Sequence, residues 1–263
     1  MYTWLVHFGD LAVITFTCHV LRVVCRKILP GGIRLLAEEI ISTADFCGCC
    51  FELAFLFETY GTAVFTVGLF AMCLWWCVSW GDAAVNPNKH LEDYIKGDAS
   101  LIQASLRILV ELVAGIYTFW FVHYIWSFGL SPEHKFKSHE KHCDADLQVS
   151  PMYGAGVEAL LTFVDRLNAL IAGDIALMQS VVYTAVLSTG LVVGGLNYSG
   201  GYFNPVLATS LKYGCRGHST VEFFLVYWVG SITGCLIALY LYMFVIARFT
   251  HRKADPEVEK KTN

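Results

Sequence analysis

The feature that most constrains this chain is a succession of long apolar runs broken by short polar ones. Seven runs, at residues 4–24, 34–57, 62–80, 105–128, 154–172, 178–196 and 221–248, approach the length of about 20 residues that a helix needs to cross a bilayer core. The first is the weakest, because His7, Asp10 and His19 interrupt it. Composition agrees: 15% of the 263 residues are charged and 56% are hydrophobic, where a soluble domain carries about 25% and 45–50%. A chain of this size cannot cover a water-facing surface with so little charge. A soluble enzyme, a coiled coil and a disordered chain are excluded, and an all-α, polytopic membrane protein is predicted. The net charge of −4, with basic residues scattered in short loops, gives no footprint for nucleic acid.

Sidedness follows from charge. Residues 22–34 hold Arg22, Arg26, Lys27 and Arg34, and residues 248–261 hold Arg248, Arg252, Lys253, Lys260 and Lys261. Loops rich in Lys and Arg stay cytoplasmic. With both segments in the cytosol, the N-terminus lies on the far side, the first span runs inward, and six more return the C-terminus to the cytosol. The first run lacks a basic leader and a small-residue cleavage site, so residues 1–30 read as an extra N-terminal transmembrane helix rather than a signal peptide. The polar segment 129–152 reads as a solvated outer or lumenal loop. Its His134, His139, His142 and Cys143 match no standard zinc spacing, and no metal or cofactor is expected. Most of the ten cysteines (Cys18, Cys47, Cys49, Cys50, Cys73, Cys77 and Cys235) sit in apolar runs, where free thiols behave as small hydrophobes.

Two segments do not fit simple spans. Residues 81–101 and 199–217 each carry an Asn-Pro pair followed by a potential helix of about two turns, Asn86-Pro87-Asn88 and Asn204-Pro205-Val206. Asparagine is a strong helix cap and proline suits the first helical position, so each pair reads as a helix start. The pairs sit in register with a second repeat: Glu39 is followed by Thr43, and Glu158 by Thr162. The glutamates are 119 residues apart and the asparagines 118, which argues for a duplicated unit covering about 34–128 and 154–248. Each unit holds three spans, an odd number, so the copies must lie in opposite orientation. Inverted repeats of this kind bring the N-termini of broken helices together at the midplane. Glu39, Glu158 and Glu111 lie in apolar runs, where carboxylates are costly and face a bundle interior or a wet cavity. Gly190, Gly194, Gly195, Gly230 and Gly234 are expected to permit close helix crossings.

With these motifs in order, residues 34–248 resemble the aquaporins, the major intrinsic protein family; the stretch around Trp228 (YWVGSITG) fits the same pattern. The extra first span, the CGCC sequence at 47–50 and Cys215 eleven residues after Asn204 resemble the unorthodox, intracellular superaquaporin branch. The resemblance implies a bundle of six core helices and two re-entrant half-helices, a homotetramer, and a channel domain at 31–248; the charge pattern makes 249–263 a cytosolic tail. The resemblance also implies that Asn86 and Asn204 turn side-chain donors toward a pore. Glu39, Glu111 and Glu158 would accept loop amides that hold the half-helices. Leu207 stands where the family usually has a filter arginine, and Gly201, Val192 and Phe65 or Thr66 stand at the other constriction positions. The first half-helix departs from the family, since Lys89, His90, Glu92, Asp93 and Lys96 replace apolar residues. It reads either as a polar vestibule, with Lys89 paired to Asp93, or as a segment that stays at the cytosolic surface.

The function implied is a passive channel for water and small neutral solutes, glycerol or hydrogen peroxide among them. The alternative is a non-conducting scaffold of the same fold. An intramembrane hydrolase is disfavoured, because repeat-related glutamates in matching contexts suit structure better than an acid–base division of labour. By this topology Cys143 and Cys215 share the lumenal side, where an oxidising compartment permits a disulfide. Lys260 and Lys261, at the fourth and third positions from the C-terminus, form a dilysine address for the endoplasmic reticulum.

Overall fold

A computed structural model describes residues 3–139, 143–172 and 180–246. His142, Arg248, Arg252, Lys253 and the paired Lys260 and Lys261 lie outside the described residues. Among those described, every regular element is helical. Helix α1 spans Thr3–Ile28, α2 Gly31–Ser79, α3 Pro87–Lys96, α4 Leu101–Trp126, α5 Pro132–His139, α6 Pro151–Ile171, α7 Val181–Gly195 and α8 Pro205–Lys212. Helix α9 (Thr220–Phe223), a π-helical stretch (Phe224–Gly230), α10 (Ser231–Leu241) and a second π stretch (Tyr242–Ile246) follow without a break. Among the described residues, four helical stretches are long and apolar enough to cross a membrane: Leu5–Ile28, Gly31–Ser79, which is broken at Gly61, Leu101–Trp126 and Thr220–Val245.

The second and third apolar runs are the two arms of α2, which meet directly at a sharp break with no intervening loop. The break is at Gly61, whose backbone (φ 77°, ψ −179°) only glycine adopts freely. There the chain doubles back, and a Cβ placed on Gly68 would lie 3.1 Å from Leu53. The two arms bury Leu53, Leu56, Phe65, Leu69 and Trp76 in one cluster with Leu11 of α1.

Helix α1 docks on α2 through ions as well as apolar packing. Arg22, with no exposure, meets the equally buried Asp45 at 3.0 Å and reaches the Ser42 hydroxyl at 3.4 Å. Arg26 and Arg34 both approach the Glu38 carboxylate, at 3.0 and 3.7 Å. Of the four basic residues at 22–34, Arg22 and Arg26 are therefore committed to acids of the neighbouring helix, and Arg34 pairs within α2. The segment expected to be a solvated loop holds α5, and His134 is fully buried there.

Glycine permits close helix crossings at two of the five expected positions and a close approach of a loop at a third. A Cβ on Gly230 would fall 2.6 Å from the Ala155 carbonyl oxygen of α6, and one on Gly234 would fall closer still to that of Ala159. A Cβ on Gly195 would meet the Gly201 backbone at 2.5 Å. Gly190 and Gly194 face open space, so they set no crossing.

Candidate functional site

Both Asn-Pro pairs start a helix, as their chemistry dictates. Asn86 and Asn204 are extended, the conformation that a following proline favours. The Asn86 side-chain oxygen accepts the Asn88 N–H at 3.1 Å, and the Asn204 oxygen accepts those of Val206 and Leu207 at 3.0 and 3.3 Å. With each oxygen committed to a cap, each NH2 group faces away from its own helix. The Asn86 amide donates to the Phe203 carbonyl at 3.3 Å, and the Asn204 amide to the Val85 carbonyl at 2.6 Å. The two loops thus bind each other reciprocally. Val85 and Phe203, whose carbonyls accept these bonds, both have positive φ (55° and 33°), a cost that non-glycine residues meet only where the surroundings enforce it. An asparagine amide has two N–H donors, so each keeps one beyond the loop-to-loop bond.

A carboxylate holds each loop from behind. Glu39 accepts the Ala84 and Val85 amides, each at 3.1 Å. Glu158 accepts the Tyr202 and Phe203 amides at 3.1 and 2.6 Å, together with the Ser199 hydroxyl at 2.6 Å. Glu111 differs from the role implied for it. Its oxygen lies 3.1 Å from Nε2 of His90, on α3, and among the described residues it takes no loop amide, because the charged α3 presents an imidazole at that place. Asn88 sends its amide to the Ser231 hydroxyl at 2.7 Å, and Val206 packs on α4, where a Cβ at Gly115 would sit 3.2 Å from it.

The charged face of α3 is absorbed by partners. Lys89 pairs with Asp93, His90 is buried between Glu39 and Glu111, and Glu92 receives both Nε and Nη2 of Arg166 at 2.8 and 2.7 Å. Beyond the helix end, the Lys96 ammonium, 2.9 Å from Asp98, holds that carboxyl below the usual carboxylate range. The Glu92–Arg166 and Arg22–Asp45 pairs went unread in the sequence, although a charge inside an apolar run is itself the signal.

A cavity of about 540 Å³ runs past the paired motifs. Asn86, Asn204, Ala84, Val85 and Phe203 line its middle, and Phe65, Val192, Gly201 and Leu207 line it as well. Thr66, the alternative to Phe65, bonds to the Thr62 carbonyl and does not line it. Gly201 and Val192 adjoin, since a Cβ on Gly201 would meet the Val192 oxygen at 2.7 Å. Asp146, Gln148 and Lys212 bound the cavity beside the end of α8; Trp80, Asp165 and Arg166 bound it beside Glu92 of α3. A disulfide joins Cys143 to Cys215, and the segment it anchors lies over α8, with Asp146 2.8 Å from Lys212 and 2.5 Å from the Tyr202 hydroxyl.

No known family model matches the chain. It is 32% identical over 240 residues to aquaporin-11 of Milnesium tardigradum, covering 91% of this chain and 87% of that protein. It is 26% identical over 243 residues to aquaporin-12 of Mus musculus, covering 89% and 84%. In fold it is similar to the aquaglyceroporin from Plasmodium falciparum, with a TM-score of 0.66 at 16% identity, over 84% of this chain and 99% of that one.

Proposed function

The chain belongs to the aquaporin family, on the branch of aquaporin-11 and aquaporin-12, and from that premise we propose that it is a membrane channel for passive flux of water and small neutral solutes, glycerol or hydrogen peroxide among them. The observation that carries the reading is the cavity lined by Asn86 and Asn204, whose loops are braced on each other and on Glu39 and Glu158. In the proposed arrangement six core helices and two half-helices, α3 and α8, form an inverted-repeat channel domain over 31–248. Helix α1 lies outside it, and residues 249–263 form a cytosolic tail. The N-termini of α3 and α8 concentrate partial positive charge at the junction. The remaining N–H of each asparagine donates to a passing water, whose oxygen turns toward the junction. A water held in this way cannot relay a proton along the file, and the same field opposes cations.

Leu207 in place of a filter arginine, with Phe65, Val192 and Gly201, makes the proposed constriction apolar. Neutral solutes larger than water then meet neither charge nor added bulk. The test is a swelling assay on proteoliposomes with and without glycerol. Leu207→Arg is expected to slow glycerol at least severalfold more than water; equal slowing of both would remove Leu207 from the constriction, and no flux above empty vesicles in the unmodified protein would leave the scaffold reading.

The proposed location is the endoplasmic reticulum membrane, with the dilysine address of Lys260 and Lys261 on the cytosolic side, and the proposed assembly is a homotetramer. Lys260→Ser with Lys261→Ser is expected to move a tagged copy to the cell surface. Unmodified protein already at the surface would refute the location.

A further inference from the structure

We propose that His7, Glu52 and His134, with Asp10 beside them, form a binding site for a divalent cation of the zinc class that clamps α1 and α5 to α2. The three elements converge on one carboxylate oxygen. Glu52 Oε2 lies 3.0 Å from Nδ1 of His7 and 3.1 Å from Nε2 of His134. Ligands about 2.0–2.1 Å from a tetrahedral ion stand roughly 3.3 Å from one another, so these separations match edges of a coordination shell. His7 and His134 have no exposure and Glu52 has 3%.

Asp10 supplies the independent sign. It sits one turn from His7 on α1, and its Oδ2 is buried without a hydrogen-bond partner among the described residues. That oxygen is 3.8 Å from Nε2 of His134, too far for a hydrogen bond and near enough for an ion held by His134 to offset its charge. A buried carboxylate oxygen left without a partner is costly, and a cation removes the cost.

Surrounding groups fix the ligand orientations. Trp126 donates its indole N–H to the other Glu52 oxygen at 2.8 Å, the kind of outer contact that aims a ligating carboxylate. The His7 ring stacks on Phe55 and the His134 ring on Trp126, with centroids 5.1 and 5.9 Å apart. Two imidazoles with a carboxylate suit zinc over calcium or magnesium, which prefer oxygen throughout. The other histidine–carboxylate group, Glu39, His90 and Glu111, is a weaker candidate, because both Glu39 oxygens already accept backbone amides.

The full chain, purified in detergent with a tag that carries no histidine run and stripped with a chelator, is titrated with zinc chloride alone. About one zinc per chain after gel filtration and a raised unfolding midpoint are expected, with affinity falling at least about tenfold in His134→Gln and in Glu52→Gln while His90→Gln keeps the ion. Zinc K-edge absorption on the unmodified protein, which needs no variant to fold, is expected to give nitrogen and oxygen neighbours with imidazole scattering. No retained zinc, zinc lost in His90→Gln but kept in His134→Gln, or a sulfur-dominated shell would overturn the site.

Discussion

Replacing Glu158 by glutamine keeps the size and shape of the side chain and removes its charge, so it isolates what the carboxylate does for its loop. In the native arrangement one oxygen accepts Ser199 and Tyr202 and the other accepts Phe203 at 2.6 Å. A glutamine can keep the first two with its single oxygen, but its NH2 group then confronts the Phe203 N–H, donor against donor. An orphaned buried donor costs about 1–3 kcal/mol, and the two surviving bonds each lose about 1 kcal/mol of charge assistance. Relief of the buried charge offsets part of this, leaving a net loss of roughly 2–4 kcal/mol. That is a shift of roughly 30- to 700-fold in the folding equilibrium. Because the Phe203 carbonyl also accepts the Asn86 amide, proteoliposome swelling should fall with stability. Unfolding in mild detergent reads the first quantity and stopped-flow light scattering the second. A variant within about 0.5 kcal/mol of the unmodified protein, with unchanged swelling, would refute the reasoning, since it would mean that the carboxyl is already neutral or that the loop is held elsewhere.

Two further outcomes follow from packing and from the covalent tie. Gly234→Val should push α10 off the Ala159 carbonyl and cost about 3 kcal/mol or more, whereas Gly194→Val, in open space, should leave the yield of folded protein unchanged; equal yields from both, read by size-exclusion chromatography, would remove the crossing. Cys143→Ser opens a tie across 72 residues, about 4 kcal/mol by chain entropy, and Cys215→Ser should lower the unfolding midpoint equally, with the double variant no lower than either. Additive losses, or a midpoint indifferent to reductant, would contradict it.

Residues that obey a repeat were open to reading in sequence; residues that act through a single distant partner were not. Glu39 and Glu158 keep nearly the same spacing to Asn86 and Asn204, 47 and 46 residues, so the pattern itself announces a shared task, and each is found behind its own loop. Glu111 has no counterpart in the other half, and its family role misleads because His90 stands on α3 where that pattern is apolar. His134 lies in a segment whose polarity resembles a loop, and its bond to Glu52 spans 82 residues with no periodic trace. Arg22 was legible only as a charge near a cytosolic end, since net loop charge does not reveal that Asp45 takes it inside. Five glycines looked equivalent, yet whether a neighbour approaches Gly190 or Gly234 depends on which face of the helix each occupies. The break at Gly61 was legible, because Glu58 and Thr59 interrupt the apolar pattern just before it and separate the runs 34–57 and 62–80.

The reciprocal bonds between Asn86 and Phe203 and between Asn204 and Val85 also impose an order on biosynthesis. Neither loop can finish from its own half, because the acceptor for each amide is encoded about a hundred residues away. A ribosome adding roughly 5–20 residues per second needs about 6–24 s to go from the first asparagine to the second, 118 residues later. For that interval the nascent chain holds Asn86 with its partner not yet made, and any truncation before Phe203 fixes it in that state. A chain cut short between the two loops is thereby defective in its first half, whose Asn86 amide never meets its acceptor.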